Sequence, residues 1–196
     1  MPLSVADIPQ DLYDDLAWPF DFDMRGIPTD PLWFTVKPET TLIPLAGEGT
    51  GGLFAIVQDT GEILFVDSEG SGSIIAPSLE ELLLIFVCHP YWRDLLKFSG
   101  GGSLREMRRV LPFAEADYYH DEPDARPAGD KIRASLGLPE TGDMVDILHQ
   151  SISNSDQRFE IFAPDGWKLD SLFNKFTVSD HREWKIAEQA VPPNGP

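Results

Sequence analysis

The chain has 196 residues, enough for one domain with a sizeable core, and 33 acidic against 15 basic side chains give it a formal charge of −18. Such a surface repels nucleic acid and anionic membranes and attracts basic partners, although solubility or salt adaptation alone would explain the same charge. No apolar run is long enough to span a bilayer, and a single cysteine excludes an internal disulfide. The acidic N-terminus lacks the basic segment of a secretory signal, so we expect a cytoplasmic protein.

A short amphipathic helix is predicted over residues 6–17, because apolar side chains recur there at every fourth position, at Ile8, Leu12 and Leu16. Four β-rich runs follow, and they are residues 31–36, 40–46, 53–58 and 63–68. Pro44 places the second run at a sheet edge, and Gly61 closes a tight turn between the last two. We therefore expect residues 40–76 to form a β-meander.

Helices are predicted after the meander. Ser78 and Ser103 each open an S-x-x-E capping box in front of a helical run. The first box begins a buried helix over about 78–88, and a further helix is predicted over 91–98. Residues 99–103, "SGGGS", predict a flexible joint before the second box.

After the second box, the sequence predicts an exposed acidic loop over residues 115–130. The further elements expected are two short helices, a hairpin turning at Asp165-Gly166 and a last helix, over 130–138, 143–152, 158–173 and 179–189. Strands and helices are segregated along the chain rather than alternating, which indicates the α+β class.

The stretch "LAGEGTGGLFAIV" (45–57) contains a literal G-x-G-x-x-G between Gly47 and Gly52. A dinucleotide site needs a helix after these glycines to hold the pyrophosphate, but a β-rich run follows, and Glu48 would repel phosphate. A kinase glycine-rich loop needs companion motifs that this chain lacks. The glycines therefore predict a turn between two strands, and no cofactor is expected.

Three segments in sequence, "LIPLAGEGTGGLFAIV" (42–57), "EILFVDSEG" (62–70) and "SIIAPSLEELL" (73–83), resemble the core pattern of the SUKH superfamily. The residues on the last motif are Ile75, Ala76, Ser78, Leu79, Glu81, Leu82 and Leu83. The resemblance covers residues 42–98, and it departs from the pattern where Leu79 and Leu82 replace common aromatics.

This resemblance implies a SUKH-like α+β domain, an antiparallel β-meander packed against helices, that binds other proteins and has no catalytic residues. We expect a single domain over 1–196, with the core at about 30–100 and a helical and hairpin C-terminal extension at about 103–190. Many members of the superfamily are immunity proteins that neutralise a bacterial toxin, often a nuclease. Others regulate cell-wall synthesis or contact secretion machinery.

The residues themselves offer no catalytic or metal site. Cys88 and His89 are adjacent on a helix and point about 100° apart, so they cannot form a dyad. The four histidines, which show no zinc-site spacing, are His89, His120, His149 and His181. The acids around His120 lack the EF-hand pattern. The basic cluster of Arg105, Arg108 and Arg109 is expected to form ion pairs with the acidic segment 115–124.

That acidic and aromatic segment is the first candidate for partner binding, because tyrosines are favoured at interfaces and carboxylates complement a basic partner. Its residues are Glu115, Asp117, Tyr118, Tyr119, Asp121, Glu122 and Asp124, and Glu48 in the glycine loop joins them. A second candidate consists of Trp18, Phe20, Asp21, Phe22 and Asp23. Alternatively, the aromatics pack into the core and the acids only solvate the surface.

The leading hypothesis is an immunity-type protein, not an enzyme, that occludes the basic surface of a toxin, possibly a nuclease. Its carboxylates would replace the phosphates of the toxin's substrate. The alternatives are a regulatory or scaffolding module of the same fold and, from a different class, a small enzyme using His120 or His149. Neither nucleic acid nor membrane is expected as a partner.

Overall fold

The computed structural model describes residues 3–25, 27 and 32–190. Within these ranges the elements, in chain order, are α1 Tyr13–Ala17, β1 Thr35–Lys37, β2 Leu42–Gly47, β3 Leu53–Val57, β4 Ile63–Val66, β5 Gly72–Ala76, α2 Leu79–Cys88, α3 Trp92–Lys97, α4 Leu104–Asp121, α5 Ala125–Leu136, α6 Val145–Arg158, β6 Glu160–Phe162 and α7 Arg182–Ala190. Short 3-10 helices occupy Val5–Asp7, Gln10–Leu12 and Val178–Asp180. Antiparallel sheets packed against helices confirm the α+β class.

The β-meander is confirmed as a four-stranded antiparallel sheet with the order β2-β3-β4-β5. β2 is an edge strand, as Pro44 predicts, and its register shifts between Pro44 and Ala46. The glycine loop joins β2 to β3 as a turn, in which the Gly51 amide donates to the Glu48 carbonyl over 2.9 Å. Gly51 has φ +105°, a conformation that favours glycine.

Both faces of this sheet are buried, because alternate side chains along β3 and β4 enter two different apolar clusters. One face, with Phe54 and Phe65, packs against α2 and α3. The other face packs against the two-stranded sheet formed by β1 and β6, through Phe34, Val36, Leu53, Val57, Leu64, Val66, Ile74 and Ile161. The helix-side cluster also takes side chains from α1, α4, α5, α6 and α7.

The outer edge of β5 is covered by α6 and by the segment after β6. The Ile74 amide donates to Ser155 Oγ over 2.8 Å, and the Gly72 amide donates to the Asp170 carbonyl over 2.9 Å. The Asp156 carboxylate accepts from the hydroxyls of Ser73 and Ser171. These bonds satisfy edge groups that would otherwise be open to pairing with another strand.

The predicted exposed loop over 115–130 is wrong, because α4 continues to Asp121 and α5 begins at Ala125. The buried side of these helices is made mostly of small residues, which give little apolar signal in an acidic sequence. Val110 and Ala114 in α4, and Ala128 and Ile132 in α5, are buried four positions apart, as on one side of a helix. Pro127 is compatible with this assignment because it lies in the first turn of α5, where proline is tolerated.

Three other predictions need correction. The helix over 6–17 is divided into two 3-10 turns and α1, although its three apolar side chains are buried as predicted. The second arm of the 158–173 hairpin pairs with β6 only at Lys168, and β6 pairs along its length with β1. The 99–103 joint is a hydrogen-bonded turn, in which Gly100 and Gly101 donate to the carbonyls of Phe176 and Asn174.

The other predicted helices are confirmed. The Glu81 amide donates to Ser78 Oγ, which caps α2, and the Glu106 amide donates to Ser103 Oγ at the start of α4. The strand predicted over 31–36 is limited to Thr35–Lys37, and residue 31 lies outside the described residues. None of the helices described here is long and apolar enough to cross a membrane.

Candidate partner-binding surface

The three segments selected from the sequence meet on one side of the molecule. Tyr118 Oη, near the end of α4, donates to the carbonyl of Pro19 over 2.8 Å. The Asp21 carboxylate accepts from the amide of Gly49 in the glycine loop, also over 2.8 Å. We call this joined area the acidic surface, and its residues are Trp18, Asp21, Glu48, Glu115, Asp117, Tyr118, Tyr119, Asp121, Glu122 and Asp124.

The tyrosines of this surface are half-buried and rigidly packed. The rings of Tyr118 and Tyr119 meet edge to face with centroids 5.8 Å apart, and Tyr91 packs against both. The Arg126 guanidinium lies 3.7 Å from the centre of the Tyr119 ring. Burial raises the pKa of Tyr118, so its hydroxyl stays neutral and holds the hydrogen bond to Pro19.

The segment 18–23 divides between core and surface. Phe20 and Phe22 are buried and pack against Phe86, which agrees with the structural alternative for these aromatics. Trp18, in contrast, leaves 70% of its surface exposed immediately before Pro19. Asp23 forms an ion pair with Arg25 over 2.8 Å, so its charge is compensated.

Most carboxylates of the acidic surface have a partner, and three do not. Glu115 pairs with Arg126 over 3.2 Å, and Asp117 accepts from the indole nitrogen of Trp184 over 2.6 Å. Among the residues that the structure describes, no ion-pair partner is found for three carboxylates where α4 ends and α5 begins. We call these the acidic corner, and they are Asp121, Glu122 and Asp124.

Glu48 faces inward rather than standing at the tip of its loop. Its carboxylate is 8% exposed and accepts from Thr50 Oγ1 over 2.6 Å and from the Gly52 amide over 3.0 Å. Burial acts to raise the pKa of Glu48, but these hydrogen bonds and the charge of Arg93 outweigh it and hold the pKa below its ordinary value. The Glu48 carboxylate thus holds the loop, and its contact with a partner stays a prediction.

The expected ion pairs between the arginine cluster and segment 115–124 are absent from the described contacts. Arg108 binds Asp143 over 2.9 Å, and Arg109 binds Glu106 over 2.9 Å as well as Glu188. The reason is that α4 is continuous, and helical side chains meet only three or four residues apart. Arg126 of α5, which the sequence reasoning did not select, pairs with the segment instead.

No group of three or more histidine, cysteine or acidic residues is placed to hold a metal in residues 3–25, 27 and 32–190. His149 Nε2 lies 2.8 Å from the Gly102 carbonyl, and His181 stacks on Trp184. Cys88 donates to the Thr141 carbonyl, and burial raises the pKa of its thiol. These contacts are the kind that stabilise a fold.

His89 makes a pH-dependent contribution to stability. It is 4% exposed, its Nε2 accepts from the Met144 amide over 3.1 Å, and its Nδ1 lies 3.2 Å from Tyr91 Oη. Burial lowers its pKa below the usual 6.5, and Arg108 acts in the same direction, while the charges of Asp143 and Glu115 oppose them. Folding therefore favours neutral His89, and this contribution is full above pH 6.5 and is lost as the pH falls through the folded pKa.

We expect the difference in unfolding free energy between wild type and His89→Gln to shrink from pH 8 to pH 5, since glutamine accepts the same amide bond and does not titrate. Urea unfolding at each pH measures it. A difference that stays constant over this range would contradict the assignment.

Comparison of the chain with models of known protein families, with curated proteins and with solved structures finds no match. The likeness to the SUKH superfamily therefore stays an expectation from the sequence.

Proposed function

We propose that this chain is an immunity-type protein that binds a bacterial toxin through the acidic surface and blocks it stoichiometrically. The observation that carries the proposal is the acidic corner, where three neighbouring carboxylates have no ion-pair partner among the described residues. Exposed Trp18 belongs to the same surface, since the next residue, Pro19, is bonded to Tyr118. Uncompensated acids with an exposed aromatic suit a basic protein partner.

The negative charge of this surface would both speed association with a basic partner and select against other partners. The chain carries −18 overall, so a basic toxin is attracted at long range, and the acidic corner would orient it at contact. If the toxin is a nuclease, the carboxylates would occupy the positions of its substrate's phosphates. Nucleic acid itself is repelled by the same charge, which favours a protein as the partner.

The surface is also pre-organised. The acidic corner links two helices, and the Tyr118–Pro19 hydrogen bond and the packing of Arg126 on the Tyr119 ring hold its surroundings in place. A rigid surface loses little side-chain freedom on binding, which favours the tight complexes that neutralisation requires. We further propose that the protein acts in the cytoplasm, where its free cysteine, Cys88, would stay reduced.

Co-expression tests the proposal. Each toxin-type domain encoded beside the gene is produced in a bacterial host with and without this protein, and growth is recorded. We expect at least one domain to stop growth and this protein to restore it. If no neighbouring domain is toxic, or if growth stays arrested although the protein accumulates in soluble form, the proposal is contradicted.

A further inference from the structure

A cleft of about 370 Å³ opens beside the acidic surface, between the glycine loop, the β4–β5 turn, α3 and residues 171–174. We call it the α3 cleft. Its apolar lining comes from Phe65, Trp92, Leu96 and Leu172, and its charged lining comes from Glu48, Asp67, Glu69, Arg93 and Lys97. The volume lies within the range of about 300–1,000 Å³ found for sites that bind ligands.

Two of the residues that line this cleft carry a buried donor without an acceptor. Trp92 is 1% exposed, and its Nε1 has no hydrogen-bond partner among the residues described. Nη2 of the adjacent Arg93 is buried and likewise forms no hydrogen bond there. Buried donors are nearly always paired in folded proteins, so these two neighbouring donors are open to an acceptor that the described chain does not supply.

Arg93 is fixed in position for such a role. Its guanidinium lies over the rings of Trp92 and Phe65, 4.6 and 5.3 Å from their centres. Its Nη2 is 3.5 Å from Asp21 Oδ2 and 3.9 Å from Glu48 Oε1, so it is within ion-pair range of both carboxylates but forms no hydrogen bond with either. The charge of Arg93 is therefore balanced while its Nη2 donor stays unused.

The surrounding charges select the type of acceptor. Three carboxylates and two cations line the cleft, a net charge of −1, and Asp21 lies against Arg93 as well. A carboxylate or phosphate ligand would be repelled, whereas a neutral carbonyl oxygen would not. Asp67 and Glu69 have no ion-pair partner in the described part of the chain, so they favour a cation next to that carbonyl.

We propose that the α3 cleft binds a short extended segment of the protein partner. A backbone carbonyl of the segment accepts from Trp92 Nε1 and Arg93 Nη2, and a neighbouring lysine or arginine side chain reaches Asp67 and Glu69. The identification of the segment as part of a toxin rests on the proposed function. The peptide chemistry of the cleft can be tested without any toxin.

The probe is the blocked peptide acetyl-Gly-Lys-Gly-amide, titrated to millimolar concentrations into the full-length ¹⁵N-labelled protein. The indole resonance of Trp92 is identified by its absence from the spectrum of Trp92→Phe. We expect this resonance to move downfield and to saturate, because its proton gains an acceptor. We expect acetyl-Gly-Glu-Gly-amide to bind at least tenfold more weakly than the lysine peptide. The Arg93→Lys variant keeps the charge but removes Nη2, and we expect its affinity for the lysine peptide to fall at least tenfold.

Trp167→Phe serves as the matched control, because Trp167 is 73% exposed and does not line the cleft, and its binding should equal that of wild type. A Trp92 resonance that does not respond to the lysine peptide overturns the proposal, and so does an equal response to both peptides. If the titration fails but growth is rescued, the cleft is not a peptide site and the proposed function stands. A successful titration with failed rescue would support the peptide site and overturn the toxin as its source.

Discussion

Removing the three charges of the acidic corner is expected to slow association with the toxin by about 10- to 100-fold at low ionic strength. The variant is Asp121→Asn, Glu122→Gln and Asp124→Asn, measured by stopped-flow mixing with the domain that co-expression identifies. These carboxylates have no ion-pair partner in the described chain, so their field reaches the incoming protein uncompensated. The substitutions are nearly isosteric at the surface, so we expect the melting temperature to change little.

A second triple variant separates local charge from net charge. Glu39→Gln, Asp59→Asn and Asp165→Asn also remove three exposed carboxylates without ion pairs among the described residues, but away from the acidic surface. Both variants carry −15, from −18 plus three. We expect the control to slow association by no more than about threefold. Equal losses in the two variants would show that net charge acts and that the acidic corner is not the contact.

Phe86→Ala is expected to destabilise the protein by about 3–5 kcal/mol, because it opens a cavity in a close-packed aromatic cluster. Phe86 is fully buried in α2, and its ring lies 5.3 Å from that of Phe22 and 5.9 Å from that of Phe54, centre to centre. The cluster joins the sheet to segment 18–23, so its loss also loosens the base of the acidic surface. Urea unfolding monitored by circular dichroism measures the change.

The control for this change is Phe176→Ala. Phe176 is 39% exposed, and its ring lies 6.3 Å from that of Phe98, so its removal leaves little cavity. We expect its effect to stay below about 1 kcal/mol. If the two substitutions lower the free energy of unfolding by the same amount, the aromatic cluster under segment 18–23 is not the core that the structure indicates.

Local patterns in the sequence predict the sheet and α2 well. Two continuous β-rich runs on either side of Gly61 define the centre of the meander, and the cap at Ser78 marks the start of α2. The helical character of residues 115–130 is missed because small residues such as Ala114 and Ala128, rather than large apolar ones, form the buried side. A periodic pattern reveals a helix only when the buried positions carry residues that are more apolar than those at the exposed positions.

The candidate site shows the same limit. Composition alone selects segments 18–23 and 115–124, but the Tyr118–Pro19 bond that joins them connects residues 99 positions apart. Trp92 and Arg93 are missed because they lie at the start of a predicted helix, where a tryptophan followed by an arginine is not unusual. Their unpaired donors become visible only when every neighbouring acceptor has been placed.

The salt dependence of association tests the central claim, that the acidic surface attracts and holds a basic partner, most directly. The rate constant is measured from about 0.01 to about 0.15 M ionic strength, over which the Debye length shortens from about 30 to about 8 Å. We expect the wild-type rate constant to fall at least about tenfold, with a smaller change in dissociation, and the acidic-corner variant to lose most of this dependence. A tight complex whose association rate is indifferent to salt would contradict the claim.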